Sequence, residues 1–420
     1  MRRAMYFVPK TAAHKRPRST WPDMTPTIYL TRNGLLEPLG QSQVLAYLRG
    51  LSRDYRITLI TYEKDEDRTD VVLMAAMRAE CHRLNIRWLP QRFVPWPRVV
   101  APALSMLRMV WLVWREIRVQ NAQLIHARSY IPAAVAMLVS QMTGVPFIFD
   151  MRALWPEELI TAGRLRRGSM LHRAIVAAER ACLRRAGAVV SLTHAAVDHL
   201  NQAYPNDMAR QKVAVIPTCA DLQRFVPGNQ QPVRRVIGCL GTVLSGWFRL
   251  DWLSSFLSAA AERDPYAVFE LTTRDDPERV RVAIDPYGRL GSRLRIAPSA
   301  YKEVHRVLQG QTASVMFFTD GISKLGSSPT RMAEILGCGL PVIANDGVGD
   351  VARIIEQYRV GVIARGSDHA VMAAAWDDLI ELLDDPDIAV RCRKAAEEVF
   401  SLRSGVTRYR ALYETITKVL

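Results

Sequence analysis

Short runs of apolar and β-branched residues alternate along the chain with longer segments whose apolar positions recur every three or four residues. In the first half the short runs are TIYL at 27–30, RITLITY at 56–62, AQLIHA at 122–127, VPFIFD at 145–150, AVVSLT at 188–193 and VAVIP at 213–217. Buried strands that alternate with amphipathic helices form parallel sheets with helical crossovers. The pattern therefore predicts a doubly wound α/β domain over residues 26–216.

A second series of the same kind begins at RVIGCLG and continues through AVFELTT, RLRIAP, ASVMFF, PVIAND and GVIA. Residues 217–235, between the two series, contain several prolines and little periodicity, which predicts a linker. We therefore expect an α/β protein with two Rossmann-like domains, at 26–216 and 236–390, that face each other across a cleft. Ligands of such sheets bind at the carboxyl ends of the strands.

Both ends of the chain extend beyond these two domains. Helical patterns at about 368–384 and 387–419 close the second series, and residues 391–420 are expected to form a helix that packs back on the first domain. Residues 1–25 hold six basic side chains and no apolar core, which predicts a flexible basic tail and no signal peptide. Met24 is an alternative start.

The composition excludes several classes of protein. Of the 420 residues, 49% are hydrophobic and 23% are charged, which is typical of a compact two-domain protein and not of a disordered, collagen-like or coiled-coil chain. The six cysteines form no CxxC pair and the eight histidines form no HExxH pair. We therefore expect reduced thiols, no metal site and no cofactor.

The net charge of +15 is confined to the first half of the chain. Residues 1–215 contain 31 Lys and Arg against 16 Asp and Glu, whereas residues 216–420 contain 25 of each. This asymmetry favours an anionic partner for the first half, either nucleic acid or an acidic membrane leaflet, and a small ligand for the second. A basic polyanion-binding protein is thus one hypothesis, although no RNA- or DNA-binding signature supports it.

Two apolar segments are candidates for membrane contact. Residues 129–149 carry no charge but are interrupted by Gly144 and Pro146, and residues 95–114 are interrupted by arginines, so neither predicts a membrane-spanning helix. The second segment is rich in tryptophan and arginine. It predicts either a core helix or a helix that lies in a membrane interface.

The loop after the first strand, PLGQS at 38–42, contains a glycine turn before an amphipathic helix. Gly40 and Gln41 would then stand where the free amide groups of a helix start point into the cleft, which makes an anion site. The same spacing also occurs as ordinary strand-to-helix architecture.

A second loop, SSPTRMAE, predicts a helix with Ser328 as its N-cap and a proline in its first turn. The free amides near Thr330 and the guanidinium of Arg331 would then hold one phosphate group. Glu334 lies one turn further on, placed to accept hydrogen bonds from a diol such as ribose. The alternative is a capped surface helix whose Arg331 and Glu334 are solvated.

Five motifs resemble those of the retaining glycosyltransferases of family four, and they occur in the same order. They are PLGQSQVL, LIHARSYIPA, FIFDMRALWPEE, AVIPTCADLQRF and SSPTRMAEILGCGLPVIANDGVGDV, within a resemblance that spans about residues 27–400. The resemblance implies a GT-B fold and metal-independent transfer of a sugar, with retention, from a nucleotide diphosphate sugar to a lipid-linked or polysaccharide acceptor. Together with the charge asymmetry it implies a cytoplasmic enzyme that associates peripherally with an anionic inner membrane face, with no nucleic acid as partner. A nucleotide-sugar epimerase of the same fold is the alternative.

The resemblance also implies roles for individual residues. It places Gly40 and Gln41 beside the donor, the 328–331 turn on the diphosphate and Glu334 on the ribose. Asp150 would stand beside the reacting sugar, where many relatives have a histidine, or would instead cap the segment after it. Arg152 would complete the catalytic FDMR motif.

The sequence departs from the family pattern at two places. The first of two glutamates that the family places eight residues apart is Gly326 here, which leaves recognition of the donor sugar open. The usual arginine and lysine pair after the first strand of the second domain is also missing. Arg274 and Lys324 are therefore further candidates for binding the diphosphate.

Overall fold

The computed structural model describes residues 24–93, 100–229 and 233–418. The predicted basic tail lies almost wholly outside these ranges, as do the start of the tryptophan-rich segment and three residues of the predicted linker. Within the described ranges the chain forms two parallel sheets flanked by helices, which is the predicted α/β fold with two Rossmann-like domains.

The first sheet has the strand order β3-β2-β1-β4-β5-β6-β7. Its strands are β1 (Thr25–Thr31), β2 (Tyr55–Glu63), β3 (Arg87–Arg92), β4 (Leu124–Arg128), β5 (Phe147–Asp150), β6 (Ala188–Ser191) and β7 (Val213–Val215). The helices around it are α1 (Pro38–Gly40), a π-helical turn (Gln41–Leu45), α2 (Ala46–Leu51), α3 (Asp65–Thr69), α4 (Val71–Arg83), α5 (Val100–Gln120), α6 (Tyr130–Thr143), α7 (Trp155–Thr161), α8 (Met170–Arg185), α9 (His194–Ala203) and α10 (Pro205–Met208).

The second sheet has the order β10-β9-β8-β11-β12-β13. Its strands are β8 (Val236–Leu240), β9 (Val268–Thr272), β10 (Leu294–Ala297), β11 (Ala313–Met316), β12 (Val342–Asn345) and β13 (Gly361–Ala364). Its helices are α11 (Leu250–Arg263), α12 (Pro277–Ile284), α13 (Val304–Gln309), α14 (Ile322–Leu325), α15 (Thr330–Gly337), α16 (Val351–Tyr358), α17 (His369–Leu383) and α18 (Ile388–Phe400), with 3₁₀ turns at Gly291–Arg293 and Tyr301–Glu303, and a last helix α19 (Leu402–Thr417) follows.

The central strands of the first sheet are buried on both faces, which explains why their sequences are almost continuously apolar. All residues of β4 and β5 are buried, and the two strands pair in parallel so that Arg128 lies opposite Asp150. Both residues are the last of their strands. The register therefore brings two charged side chains together at the carboxyl edge of the sheet, where the cleft lies.

The chain crosses between the domains twice, and the two crossings lie side by side. Helix α18 packs on α15 and α16 of the second domain, whereas α19 packs on α2 of the first. Between them, the amide of Ala220 donates to the Phe400 carbonyl (2.9 Å) and the amide of Leu402 donates to the Ala220 carbonyl (3.3 Å). The helical pattern predicted at 387–419 is thus two helices, broken at Ser401 and shared between the domains.

Two details of the first domain differ from the sequence prediction. Strand β3 was not predicted, because at the edge of the sheet its residues are mostly half-exposed and Pro90 interrupts the apolar pattern. The first helix begins at Pro38 and not near Gln41, because proline fits the first helical turn and the amide of Gln41 already donates to the Glu37 carbonyl (3.0 Å).

Helix α5, which contains most of the tryptophan-rich segment, has one buried face and one exposed face. Met109 and Val113 are buried in the core beneath the first sheet, and Trp114 packs against that core. Trp111, on the opposite face, is 54% exposed. No helix in the described part of the chain is long and apolar enough to cross a membrane, and the described residues contain no group of side chains arranged to bind a metal ion.

Candidate active site

A cavity of about 1710 Å³ extends from the carboxyl ends of β8 and β9 along helices α2 and α19 of the first domain. Three of the predicted site residues, Gln41, Arg274 and Thr330, line it, together with Gly241 and Thr242 from the loop after β8. Ligands of doubly wound sheets bind at this edge. We therefore take this cavity between the domains as the candidate active site.

The predicted anion site at Gly40 and Gln41 is not formed as expected. Gly40 lies inside the first helical turn, and a Cβ atom there would overlap the carbonyl oxygen of Gly34. The glycine is therefore needed for the fold of its own loop. The carboxylate of Glu63, fully buried, accepts from the amides of Leu35 (2.8 Å) and Leu36 (3.2 Å) and holds this loop in place.

Asp150 is fully buried at the end of β5, within a network of polar side chains. Its Oδ2 atom lies 3.2 Å from Nε2 of His126 and accepts from the hydroxyl of Tyr409 (3.0 Å). Burial alone would raise the pKa of Asp150, but Arg152, His126 and Arg128 hold this pKa well below the usual range of a carboxyl group. Helix α7 begins at Trp155 with no side-chain cap, so Asp150 does not cap the following segment.

Arg152 is the arginine nearest to this carboxylate. Its Nη1 lies 3.6 Å from Oδ1 of Asp150, and its Nη2 donates to Oε1 of Gln43 (3.4 Å), a residue that lines the cavity. Its backbone has φ of +55°, a left-handed conformation that is costly for an arginine. Within the described part of the chain, Nε and Nη1 are buried and have no hydrogen-bond partner.

Arg331 lies beneath the glycine loop of the second domain. Its guanidinium is 5.0 Å from the ring centre of Phe318 and 5.9 Å from that of Phe248, and burial lowers its pKa. Gly241 has φ of +96°, and a Cβ atom there would lie 2.5 Å from Nη2 of Arg331. The lack of a side chain at Gly241 thus brings the guanidinium up against the wall of the cavity. Among the described residues, no hydrogen-bond acceptor reaches the buried Nη1 of Arg331.

Glu334 differs from the exposed carboxylate that the sequence predicts. Its side chain is only 6% exposed, since the residues on either side of it pack into the second domain. Burial raises the pKa of Glu334 to about 7, and the charges of Arg331 and Arg224 oppose this rise. Arg224 is among the residues that line the cavity, whereas Glu334 is not.

Ser328 does not cap helix α15, contrary to the prediction. The helix starts at Thr330 after Pro329, and no side chain caps it. The Ser328 hydroxyl instead accepts from the amide of Thr218 (3.1 Å), because the chain crosses between the domains at this point. Ser328 lines a separate, smaller cavity of about 210 Å³. The amides of the first turn at Thr330 therefore stay without a serine cap.

Lys324 and Arg274 occupy different surroundings. Lys324 is buried, and its Nζ lies 2.8 Å from the ring centre of Trp247, in the loop that follows β8. Burial lowers the pKa of Lys324 to about 8, and Glu158 of the first domain partly opposes this. Arg274 is exposed on the rim of the cavity.

The loop that carries Lys324 is pressed against the first domain. A Cβ atom on Gly326 would lie 2.9 Å from the amide nitrogen of Leu154. On the other side, the carboxylate of Asp350 accepts from the amides of His194 (2.8 Å) and Ala195 (3.0 Å), at the start of α9. A carboxylate at a helix start is favoured by the helix dipole. The space that an acidic side chain at 326 would need is thus occupied by the first domain.

Several residues of the site escaped the sequence analysis. His126, Tyr409 and Tyr413 have no local signal, since their partners lie far away in the chain. Asp350 has no local signal either, since it accepts from the amides of His194 and Ala195, which belong to the first domain. Glu63 is different, because it is the last residue of the apolar strand β2. A carboxylate at the end of a buried strand could have indicated from the sequence that Glu63 is buried.

Comparison with solved structures defines the class of fold. The chain superposes on a glycosyltransferase from Rickettsia africae (TM-score 0.69, 16% identity, covering 94% of this chain and 100% of that one) and on a sucrose-phosphate synthase from Thermosynechococcus elongatus (TM-score 0.67, 15% identity, 94% and 100%). It also superposes on Anabaena HepE in complex with UDP-glucose (TM-score 0.65, 18% identity, 94% and 99%). The two sheets and the cleft between them thus form a GT-B fold.

Residues 40–219 match the family model of the glycosyl transferase 4-like domain. No curated protein matches the chain. The first domain thus resembles a glycosyl transferase 4-like domain, and the whole chain has the fold of known glycosyltransferases, which supports the resemblance inferred from the five sequence motifs. The roles of individual site residues stay predictions.

Proposed function

We propose that this glycosyltransferase moves a sugar, with retention and without a metal, from a nucleotide diphosphate sugar to a lipid-linked or polysaccharide acceptor at the inner membrane face. The observation that carries the proposal is the buried guanidinium of Arg331, whose Nη1 has no hydrogen-bond acceptor among the described residues and which lies beneath Gly241 at the cavity wall. A buried guanidinium nitrogen without an acceptor is costly, and a bound diphosphate would supply a charged acceptor for it.

The donor would bind along the wall formed by the second domain. Its diphosphate would take the amides at the start of α15, near Thr330, and the guanidinium of Arg331, because helix starts and arginines both favour phosphate. Its ribose would donate to the carboxylate of Glu334. Lys324 and Arg274 are the further cations available to the diphosphate. HepE, which has the same fold, was solved with UDP-glucose bound, so UDP is the first nucleotide to test.

The chemistry would depend on positioning and on charge stabilisation. The anomeric carbon would lose its bond to the diphosphate and gain one to the acceptor oxygen on the same face, and the departing phosphate oxygen would take the acceptor proton. Asp150 is a poor candidate for a base, since its pKa is very low and it has no exposed surface. We assign it the role of holding Arg152, whose charge would stabilise the departing diphosphate.

Membrane association would use the outer face of α5 and α6. These helices pack on each other and on one core, and they expose Leu107, Trp111, Leu138 and Met142 to solvent. The Arg115 guanidinium lies 5.3 Å from the ring centre of Trp111. Apolar side chains next to arginines on one surface are typical of helices that lie in the interface of an anionic membrane.

Binding and product analysis test the proposal in two stages. In calorimetry, a nucleoside diphosphate should bind in the presence of EDTA, and the matching nucleoside should bind more weakly. Sugar transfer to an undecaprenyl- or polyprenyl-phosphate-linked acceptor would then be followed by NMR, in which a retained anomeric coupling is expected. Binding of no nucleoside diphosphate would contradict the proposed donor, and an inverted anomer would contradict retention. Conversion of the free nucleotide sugar to its epimer would favour the epimerase alternative.

A further inference from the structure

The last helix of the chain supplies two tyrosines to the first domain. In α19, the Tyr409 hydroxyl is 3.0 Å from Oδ2 of Asp150, and the Tyr413 hydroxyl is 2.6 Å from Nδ1 of His126. His126 Nε2 in turn lies 3.2 Å from the same Oδ2 atom. All four side chains are buried. Two elements that are far apart in the sequence therefore meet at one carboxylate.

The directions of these hydrogen bonds follow from the charges. Asp150 is ionised because its pKa is well below the usual range, so it only accepts. Burial lowers the pKa of His126, which is therefore neutral. Its Nε2 carries the proton and donates to Asp150, which leaves Nδ1 to accept from Tyr413. Tyr409 donates directly to Asp150. Tyr409 and His126 thus donate to one negative charge, and Tyr413 donates to the other ring nitrogen of His126.

That charge also holds Arg152, whose Nη2 donates to Gln43 (3.4 Å), a residue that lines the cavity. Arg152 is two residues after Asp150, and its Nη1 lies 3.6 Å from Oδ1. Its left-handed backbone is also fixed by Ala153, whose carbonyl accepts from the hydroxyl of Tyr130 (3.0 Å). A strained backbone conformation persists only where surrounding contacts hold it in place. The ion pair between Arg152 and Asp150 is one of these contacts.

We propose that Tyr409 is a positioning residue for the transfer reaction: through Asp150, it fixes Arg152 in the orientation that the cleft requires. This inference rests on the proposed role of Arg152 at the departing diphosphate. Under this proposal, helix α19, which follows the second domain in the chain, contributes to the function of the first domain. Tyr409 is buried and is not among the residues that line the cavity, so its loss should alter turnover and not the binding of the donor.

The test compares Tyr409→Phe with Tyr55→Phe. Both changes remove a single hydroxyl from a buried tyrosine at the contact with α19, but the Tyr55 hydroxyl donates to the Arg410 carbonyl (3.3 Å) and does not touch Asp150. We expect Tyr409→Phe to lower kcat about tenfold with the donor KM unchanged within about twofold, and Tyr55→Phe to leave both unchanged. An unchanged kcat in Tyr409→Phe would overturn the proposal.

A second readout does not depend on activity. Modification of Arg152 by phenylglyoxal, followed by peptide mass spectrometry, should be slow in the wild-type protein and at least threefold faster in Tyr409→Phe, with Tyr55→Phe at the wild-type rate. Equal rates in Tyr409→Phe and the wild type would overturn the proposal. If Tyr409→Phe does not fold, Asp150→Asn takes its place, with the same expected acceleration. A wild-type protein that binds no nucleoside diphosphate would instead contradict the proposed function, and the modification rates would still decide this inference.

Discussion

Gly326 of the second domain lies directly against Leu154 of the first, so close that a Cβ atom on the glycine would be 2.9 Å from the Leu154 amide nitrogen. Real Cβ atoms essentially never approach backbone atoms to this distance. The contact leaves no room for the glutamate that the family resemblance would place at this position. Any side chain here would compete with closure of the cleft.

Replacing Gly326 by alanine should therefore hold the two domains apart. We expect a larger radius of gyration in small-angle X-ray scattering and a loss of turnover of at least tenfold, because the cleft residues would no longer converge. Gly310→Ala is the control, since a Cβ atom there would meet its neighbours at ordinary distances of 3.5 Å or more. A Gly326→Ala protein with wild-type scattering and turnover would show that the contact is not a constraint on closure.

Arg331→Ala should weaken the binding of nucleoside diphosphate by about ten- to a hundredfold, corresponding to ~1.5 to 3 kcal/mol for hydrogen bonds to a charged group. Binding of the nucleoside should change little. Stability should not fall by as much, because the variant also removes a buried guanidinium without a hydrogen-bond acceptor at Nη1. Calorimetry with both ligands measures the difference, with the exposed Arg306→Ala as control. An equal loss for both ligands would mean that the arginine is structural.

Glu334 should make donor binding depend on pH. Its pKa of about 7 means that it is mostly neutral at pH 6 and mostly ionised at pH 8, and the ionised carboxylate accepts stronger hydrogen bonds from ribose. Donor affinity should therefore rise between pH 6 and 8 in the wild type and stay flat in Glu334→Gln. Glu334→Ala should raise the donor KM about ten- to a hundredfold. A wild-type affinity that is independent of pH in this range would refute the assignment to ribose.

The pKa of Glu334 should also make the stability of the protein depend on pH. As the pH rises, stability should fall, whereas donor affinity should rise. This pKa is raised in the folded protein, so the folded state binds more protons than the unfolded state between about pH 4.5 and 7, and the free energy of unfolding falls as the pH rises through this range. Glu334→Gln should remove this fall, which amounts to at most ~3 kcal/mol. Urea unfolding of both proteins at pH 5 and pH 7.5 measures it. If the two proteins lose the same stability over this range, another group is responsible.

Lys324 should set an upper pH limit on activity. Because its pKa is lowered to about 8, it loses its charge just above neutral pH and can then no longer attract a diphosphate. In the wild type, kcat/KM should fall above pH 8, and in Lys324→Arg the fall should move to higher pH. Identical profiles for the two proteins would exclude Lys324 as a diphosphate ligand.

The outer face of α5 should bind anionic vesicles. The double variant Leu107→Ser, Trp111→Ser should reduce sedimentation with phosphatidylglycerol vesicles at low salt at least fivefold, because apolar insertion and arginine charge act together. Val390→Ser is the control, since Val390 is an exposed apolar residue on the second domain. High salt should release the wild type. Equal binding of the wild type to neutral and anionic vesicles would contradict an electrostatic contribution.

The sequence predicted those parts of the molecule that depend on local pattern. In the part of the chain that the structure describes, every strand except β3 lies in one of the predicted apolar runs. Strand β3, at the sheet edge, was missed because its half-exposed residues and Pro90 carry no clear periodicity. Ser328 has every local feature of an N-cap, yet its hydroxyl is taken by Thr218, which comes close only when the domains meet.

The sequence pattern did not predict that the site residues are buried. Glu334 has the helical position of a surface carboxylate, and nothing in the local pattern indicates that it is buried. Asp150 was correctly placed at the end of a strand, but its partners Tyr409 and His126 come from other elements. Packing between distant segments determines these surroundings, and it leaves no periodic signal.

The return of α19 has a consequence for how the protein is made. Tyr409 and Tyr413 belong to the core of the first domain, yet they are synthesised only after the whole second domain. On the ribosome, β4 and β5 emerge early, and Asp150 lacks its tyrosine donor until Tyr409, 259 residues further along the chain, has been added. Completion of the first domain is thus a late event in biosynthesis, and the reactive cleft is assembled only once both domains are present.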